Sequence, residues 1–110
     1  MIILESITHK NNINVVSEKY RGDGYRRSND GFHTVGYYLN DFIGIVKIQA
    51  ALAIEPSDND WFDINNTSVG DGISSISENL FKNFTGNFVW IRVVVENFTA
   101  GSIAKIAYNK

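Results

Sequence analysis

The amino-acid sequence predicts an all-β fold: an antiparallel two-layer β-sandwich of seven to eight strands, with jelly-roll connections as one arrangement. Two long runs, residues 42–54 and 87–98, are rich in β-branched and aromatic residues and alternate with a period of two. Shorter β-rich runs recur between clusters of Gly, Asn and Asp, and no helical stripe is long enough to cross between parallel strands. An up-and-down barrel is the structural alternative.

Length and composition indicate one domain, residues 1–110, that is large enough to bury a core. The chain contains no cysteine, which excludes disulfides, thiolate metal sites and cysteine nucleophiles. The net charge of −2 gives no electrostatic reason to bind nucleic acid. Neither a basic signal-peptide start nor an apolar run long enough to span a membrane is present, so we expect synthesis in the cytoplasm without a secretory signal.

The first half of the chain divides into strands separated by one long polar loop. Residues 2–8 predict an edge strand and residues 13–20 a second, roughly alternating one. The loop at residues 21–31 contains three glycines, which permit the positive φ angles of tight turns. Residues 32–39 then form a strand with apolar side chains on both faces, and Asn40-Asp41 predicts a turn.

The next elements are a core strand and its hairpin partner. In residues 42–54 the inward side chains are predicted to be Val46, Ile48, Ala50 and Leu52. A turn at residues 55–60 follows, because Pro56 cannot donate to a ladder and the Asn and Asp residues favour turns. Residues 61–64 predict a short antiparallel strand with Phe62 and Ile64 inward.

The last third carries the strongest strand signal. After a loop at residues 65–72, residues 73–82 fit either a short helix or an extended segment. Residues 87–96 predict a strand that buries one face, and residues 97–101 predict a turn into a final strand at 102–108. The buried face should consist of Val89, Ile91, Val93 and Val95.

A short pattern recurs three times and predicts corners. An Asn-Phe or Asp-Phe pair precedes a glycine at residues 41–44, 83–86 and 97–101. We interpret the Phe as a plug that closes the end of the sandwich, and the Gly as the residue that permits a bend at a strand entrance.

No group of residues predicts catalysis. Glu55, Asp58, Asp60 and Asp63 are the densest acidic group, but they lack the glycine and distal glutamate of a calcium loop, and a turn is the favoured interpretation. His9 and His33 are the only histidines, which excludes a three-histidine zinc site, and His33 is expected to be packed or hydrogen-bonded. We predict no enzymatic activity, no metal and no cofactor.

Two sets of residues are candidates for binding. Arg21, Tyr25, Arg26 and Arg27 interleave cations with an aromatic ring, and we favour docking to a protein partner over a sugar or single-stranded nucleic acid. Trp61 and Trp90 fall on the outward side of their predicted strands. They form a stacking surface if that side is exposed, or part of the core if a second sheet covers it.

Four segments together resemble a known group of proteins. They are residues 36–38, residues 45–49, the segment Asp60-Trp61-Phe62-Asp63-Ile64, and residues 84–93, which read FTGNFVWIRV. As a set they resemble small virion structural proteins and tail-associated β-sandwich domains of tailed bacteriophages, particularly marine T4-like and cyanobacterial phages. The match spans roughly residues 32–108 and leaves the Arg-rich loop outside.

The resemblance implies a non-enzymatic virion component that decorates a capsid or belongs to a neck, baseplate or tail. Such proteins act by assembly, so the implied partners are other virion proteins and further copies of the same chain, with no nucleic acid or membrane. A carbohydrate-binding β-sandwich module, with a saccharide stacked on Trp61, Trp90 or Tyr25, is the alternative function.

Overall fold

The computed structural model describes residues 1–8, 14–22 and 31–109, which contain seven strands and no α-helix. All strand pairs are antiparallel, so the predicted all-β antiparallel fold is confirmed. A 3₁₀ turn covers Asp58–Asp60. The strands are β1 (Ile2–Thr8), β2 (Val15–Val16), β3 (Tyr20–Arg21), β4 (Phe32–Ala51), β5 (Phe62–Asp63), β6 (Asn79–Thr85) and β7 (Trp90–Asn109).

Two 20-residue strands, β4 and β7, form the centre of one continuous sheet and pair with each other along most of their length. The start of β4 and the end of β7 are flanked by β6 and β1, and we call this region the β6 half. The end of β4 and the start of β7 are flanked by β5 and by β2 and β3, and we call it the β5 half. As predicted, β1 lies at a sheet edge.

The sheet folds back so that its two halves face each other. A straight 20-residue strand would be about 66 Å long, whereas the longest dimension of the molecule is 38 Å. Tyr37, in the β6 half, donates its hydroxyl to the carbonyl of Thr67 over 2.8 Å. Thr67 Oγ1 in turn accepts a 3.1 Å hydrogen bond from the backbone of Ile48, in the β5 half. This arrangement is consistent with two layers, and jelly-roll connections stay a prediction.

The bends are β-bulges inside continuous strands. Asp41, Asn97 and Gly101 have φ angles of 50°, 53° and 77°, and the pairing register shifts around them. On β4 the buried positions step by three residues, from Leu39 to Phe42, instead of two, as an extra residue in a bulge requires. The predicted turns at residues 40–41 and 97–101 are therefore wrong, and the predicted final hairpin is a single bent strand.

The corner pattern supplies buried Phe residues and a Gly that the bend requires, as predicted. The position of these residues in the strands differs from the prediction. Phe42 and Phe98 are fully buried, and their ring centroids lie 5.1 Å apart at the bend. A side chain at Gly101 would collide with the backbone oxygen of Asp41, so glycine is needed where the two central strands approach each other. Both Phe residues lie in the middle of strands, although the sequence suggested strand entrances.

The structure also tests the predictions for β5, for two side chains near it and for residues 73–82. β5 pairs antiparallel with β4, and Ile64 is buried, as expected. Phe62 and Leu52 are exposed and not inward, since β4 already ends at Ala51 and Phe62 faces a cleft. Residues 73–82 contain no helix; Ile76 makes an isolated bridge to Phe42, and β6 begins at Asn79.

The predicted buried face of β7 is confirmed. It holds Ile91, Val93 and Val95, all buried, and Val89, directly before the strand, is buried as well. The inner faces of the two halves share one apolar core, which also includes Tyr37, Ile103, Ile106 and Tyr108.

Candidate functional site

A cleft of about 820 Å³ opens where the edge of the β6 half meets the segment that follows β5. We call it the Asn-Phe cleft. Its floor contains His33, Phe84 and Phe88, from the inner layer of side chains. Its walls carry the aromatic and amide side chains of Phe32, Phe62, Asn65, Asn66 and Asn83, together with Thr34, Asp63, Ile64 and Thr85.

His33 is locked into the floor of the cleft. Its Nε2 lies 2.7 Å from the carbonyl oxygen of Gly86, and a carbonyl only accepts, so Nε2 carries the hydrogen. Nδ1 lies 2.7 Å from the hydroxyl oxygen of Tyr108. The ring stacks on Phe84 with a centroid distance of 4.7 Å. His33 is thus buried and hydrogen-bonded, as the sequence predicted.

The walls of the cleft hold polar groups with unused hydrogen-bonding capacity. Thr34 donates to Asn83 Oδ1 over 2.8 Å, and the Nδ2 group of Asn83 makes no further bond to a described residue. In the described part of the chain the side-chain amides of Asn65 and Asn66 are likewise unpaired. Next to these amides, Phe32 and Phe62 expose their rings. The cleft can therefore hydrogen-bond neutral polar groups beside an apolar face.

The outer face of the β5 half carries a polar network. Lys47 Nζ lies 3.0 Å from Asp63 Oδ2 and 2.9 Å from Glu96 Oε1. Gln49 donates its amide to Asp63 Oδ1 over 2.8 Å. The Gln49 carbonyl accepts from Nε and Nη2 of Arg92 at 3.0 and 2.8 Å. The Gln49 side chain thus links the carboxylate of Asp63 to the guanidinium group of Arg92.

Hydrogen bonds and burial shift the pKa values of three groups in this network. The hydrogen bond from Gln49, and then that from Lys47, lower the pKa of Asp63. Burial lowers the pKa of Lys47, but hydrogen bonds to Glu96 and Asp63 outweigh it, so the net shift is upward. Burial lowers the pKa of Arg92. Asp63, Lys47 and Arg92 stay charged near neutral pH.

The two tryptophans both lie on the β5 half, each with a cation against its ring. The guanidinium carbon of Arg92 is 4.1 Å from the ring centre of Trp61, and Lys19 Nζ is 5.0 Å from that of Trp90. Trp90 also donates its indole N–H to the carbonyl of Ile54 over 2.8 Å. Both rings are half-buried. A saccharide stacking on them would meet rings that cations already partly cover.

Of the predicted docking residues, the structure places only Arg21. It lies on β3 opposite Trp90 and lines a groove of about 480 Å³ with Met1, Lys19 and Tyr20. Tyr25, Arg26 and Arg27, like His9, lie outside the described residues.

The predicted acidic group forms a turn. Asp60 Oδ2 accepts from the backbone N–H of Ser57 at 2.7 Å, and Asp63 belongs to the Lys47 network. Within residues 1–8, 14–22 and 31–109, no group of three or more His, Asp or Glu side chains could hold a metal ion.

Sequence reasoning missed the Asn-Phe cleft. Asn65, Asn66 and Asn83 were assigned to turns, where Asn is common, and Phe62 was placed inward. The one signal was the density of Asn residues on both sides of β-rich runs.

In its described part the chain has no helix that is both long and apolar enough to cross a membrane. Comparison with known protein families, curated proteins and solved structures gives no match to this chain.

Proposed function

We propose that this protein is a non-enzymatic structural component of a tailed-bacteriophage virion and acts through protein–protein assembly. The observation that carries the proposal is the open edge of β6. Among the described residues β6 pairs only with β4, so its other edge has no partner strand. Beside that edge Phe32 and Phe81 are 68% and 65% exposed.

An open strand edge is normally protected, because its free N–H and C=O groups template pairing with other chains. Charge, proline or a covering loop protects such an edge; β6 contains one charged residue, Lys82, but exposed aromatic rings flank it. Exposed aromatic rings beside an open edge are typical of an assembly contact. The virion context comes from the resemblance of residues 32–108 to phage structural proteins.

The chemistry of the cleft fits the same proposal. His33 and Asp63 are ionisable side chains along it, and both are held by other groups of the protein. General acid or base catalysis requires a titratable group that can reach substrate. Here the two candidates instead stabilise the fold.

Quantitative mass spectrometry of purified phage particles tests the proposal. The chain should be present, at a copy number near that of the capsid protein for a lattice decoration, or at a few to a few dozen for a neck, baseplate or tail component. Truncating Arg26 and Arg27 to Ala should lower incorporation while leaving the circular dichroism spectrum unchanged. A chain that is absent from particles would contradict the virion role.

Saccharide binding is the second candidate function, and the Asn-Phe cleft favours it. Unpaired amides next to exposed phenyl rings suit a neutral sugar, which offers hydroxyl groups on its rim and C–H groups on its faces. A saccharide array with the wild type, Phe62→Ala and Trp61→Ala separates the possibilities. Loss of signal in Phe62→Ala alone assigns the cleft, loss in Trp61→Ala alone assigns the indole, and no signal in the wild type excludes this candidate.

A further inference from the structure

The free backbone groups of β6 have a defined direction. The carbonyls of Glu78 and Gly31 accept hydrogen bonds from Leu39 and Gly86, at the two ends of the β4–β6 ladder. In an antiparallel pair each residue directs both its N–H and its C=O to the same side, and this side alternates along the strand. Even-numbered residues of β6 therefore bond to β4. Asn79, Phe81 and Asn83 direct their N–H and C=O groups outward, to the open edge.

The side chains around this edge have a twofold pattern. Glu78 and Lys82 are equally spaced on either side of Leu80, and they share one face of the strand. Neither has an ion-pair partner in the described part of the chain. Their opposite charges are therefore available to a second strand with the reverse sequence direction.

We propose that a second copy of this chain pairs with the open β6 edge, antiparallel across a twofold axis at Leu80. In this register Glu78 of each copy lies opposite Lys82 of the other, which gives two symmetric ion pairs. Asn79 lies opposite Phe81 of the other copy, and both have outward backbone groups, so the ladder continues. The same surface is used twice, as a twofold contact requires.

The apolar side chains favour the same register. Leu80 is half-buried and packs on the core, and it lies opposite its own copy on the axis. Phe81, which is 65% exposed, becomes the diagonal neighbour of the other Phe81. Diagonal neighbours lie about 7–8 Å apart, within the reach of aromatic rings. The most exposed aromatic ring of β6 thus gains a partner.

The next register that keeps the ladder is less favourable. An axis at Phe81 would place Lys82 opposite Leu80 and Glu78 opposite the buried Phe84, so both charges would lose their partners. The pattern therefore selects the axis at Leu80.

This inference deepens the proposed assembly role, since it names the partner of the edge on which that role depends. The contact is small, with seven residues in β6, against about 20–30 residues a side in a standard interface. We therefore expect weak pairing, micromolar or weaker, that many copies in one particle would reinforce.

Sedimentation velocity over a range of concentrations, with charge-reversed variants, tests the pairing. The wild type should form dimers that weaken as salt is raised. Glu78→Lys and Lys82→Glu should each weaken the dimer about tenfold or more, because both symmetric pairs become repulsive. An equimolar mixture of the two variants should restore dimers, since each Lys then faces a Glu. The double variant should also restore them.

Each alternative result overturns the inference. A wild type that stays monomeric at millimolar concentration excludes the pairing, and a dimer that neither reversal weakens lies on another surface. A dimer that the reversals weaken but the mixture does not restore excludes this register.

Circular dichroism checks the fold of each variant, and if Glu78→Lys is misfolded, Phe81→Ser must weaken the dimer instead. The failures are distinguishable, because particle mass spectrometry tests the virion role alone and sedimentation tests the edge alone.

Discussion

The outer faces of the two halves of the sheet differ in how their side chains are partnered. On the β5 half, Lys47, Gln49 and Arg92 form a continuous set of contacts from Glu96 to the ring of Trp61. On the β6 half, Phe32 and Phe81 are exposed and make no ring contact with a described residue. The backbone is the same two-stranded centre in both halves.

The difference follows from residue type. Charges of alternating sign on three neighbouring strands can satisfy one another within a single molecule, and the β5 half contains such a set. The phenyl rings of Phe32 and Phe81 have no such charge to pair, and their exposed surface must be covered from outside or stay in water. The outer face of the β5 half, which we call the closed face, therefore stabilises the monomer, whereas the outer face of the β6 half, which we call the open face, is available to a partner.

The largest expected effect comes from breaking the bend that both halves share. Phe98→Ala removes a fully buried ring that packs 5.1 Å from Phe42. We expect the free energy of unfolding to fall by about 3–5 kcal/mol, from lost burial and the cavity left behind. Urea denaturation followed by tryptophan fluorescence measures it.

Phe81→Ala is the matched control, because it removes the same ring from the open face. Its effect on the monomer should stay within about 0.5 kcal/mol. Equal losses for the two Phe residues would mean that the open face is part of the folded core, and would remove the comparison.

The sequence predicted the all-β fold and the buried faces because alternation is local. Ile91, Val93 and Val95 are buried as their spacing requires. The bulges were taken for turns because both features use Asn, Asp and Gly at positive φ. A bulge differs from a turn here only because β4 and β7 stay paired on both sides of the bend. The residues that pair are far apart in sequence, so a local pattern does not reveal it.

The Asn-Phe cleft could not be predicted for a related reason. Its walls come from segments near residues 32, 65 and 84, which are brought together by the β4–β6 pairing and by the fold-back of the sheet. In contrast, the sequence did predict that His33 is packed or hydrogen-bonded, because a buried histidine on a strand usually finds hydrogen-bond partners within the protein. Its partners, Tyr108 and Gly86, required the structure.

A smaller effect tests the closed face directly. Gln49→Ala removes two hydrogen bonds from Arg92 and one to Asp63. Because water can replace part of these bonds, the expected loss is about 1 kcal/mol. Asn79→Ala is the matched amide on the open face, with no side-chain partner among described residues, and should be near neutral. If thermal denaturation shows Asn79→Ala to be the more costly of the two, the assignment of closed and open faces is wrong.

The smallest effect is identified by its pH dependence. Lys47→Met removes two ion pairs whose acids are about half exposed, so the loss in free energy of unfolding at neutral pH should be below about 1 kcal/mol.

The folded-state pKa of Asp63 is lowered, so its contribution to stability is present above about pH 4, the unfolded value, and is lost as pH falls through the folded pKa. The pKa of Lys47 is raised, so its contribution is present below its unfolded pKa and is lost as pH rises through the folded one. Lys47→Met should therefore show a shallower acid loss than the wild type and lack the alkaline one. Parallel stability curves from acid to alkaline pH would mean that these ion pairs contribute nothing to the closed face.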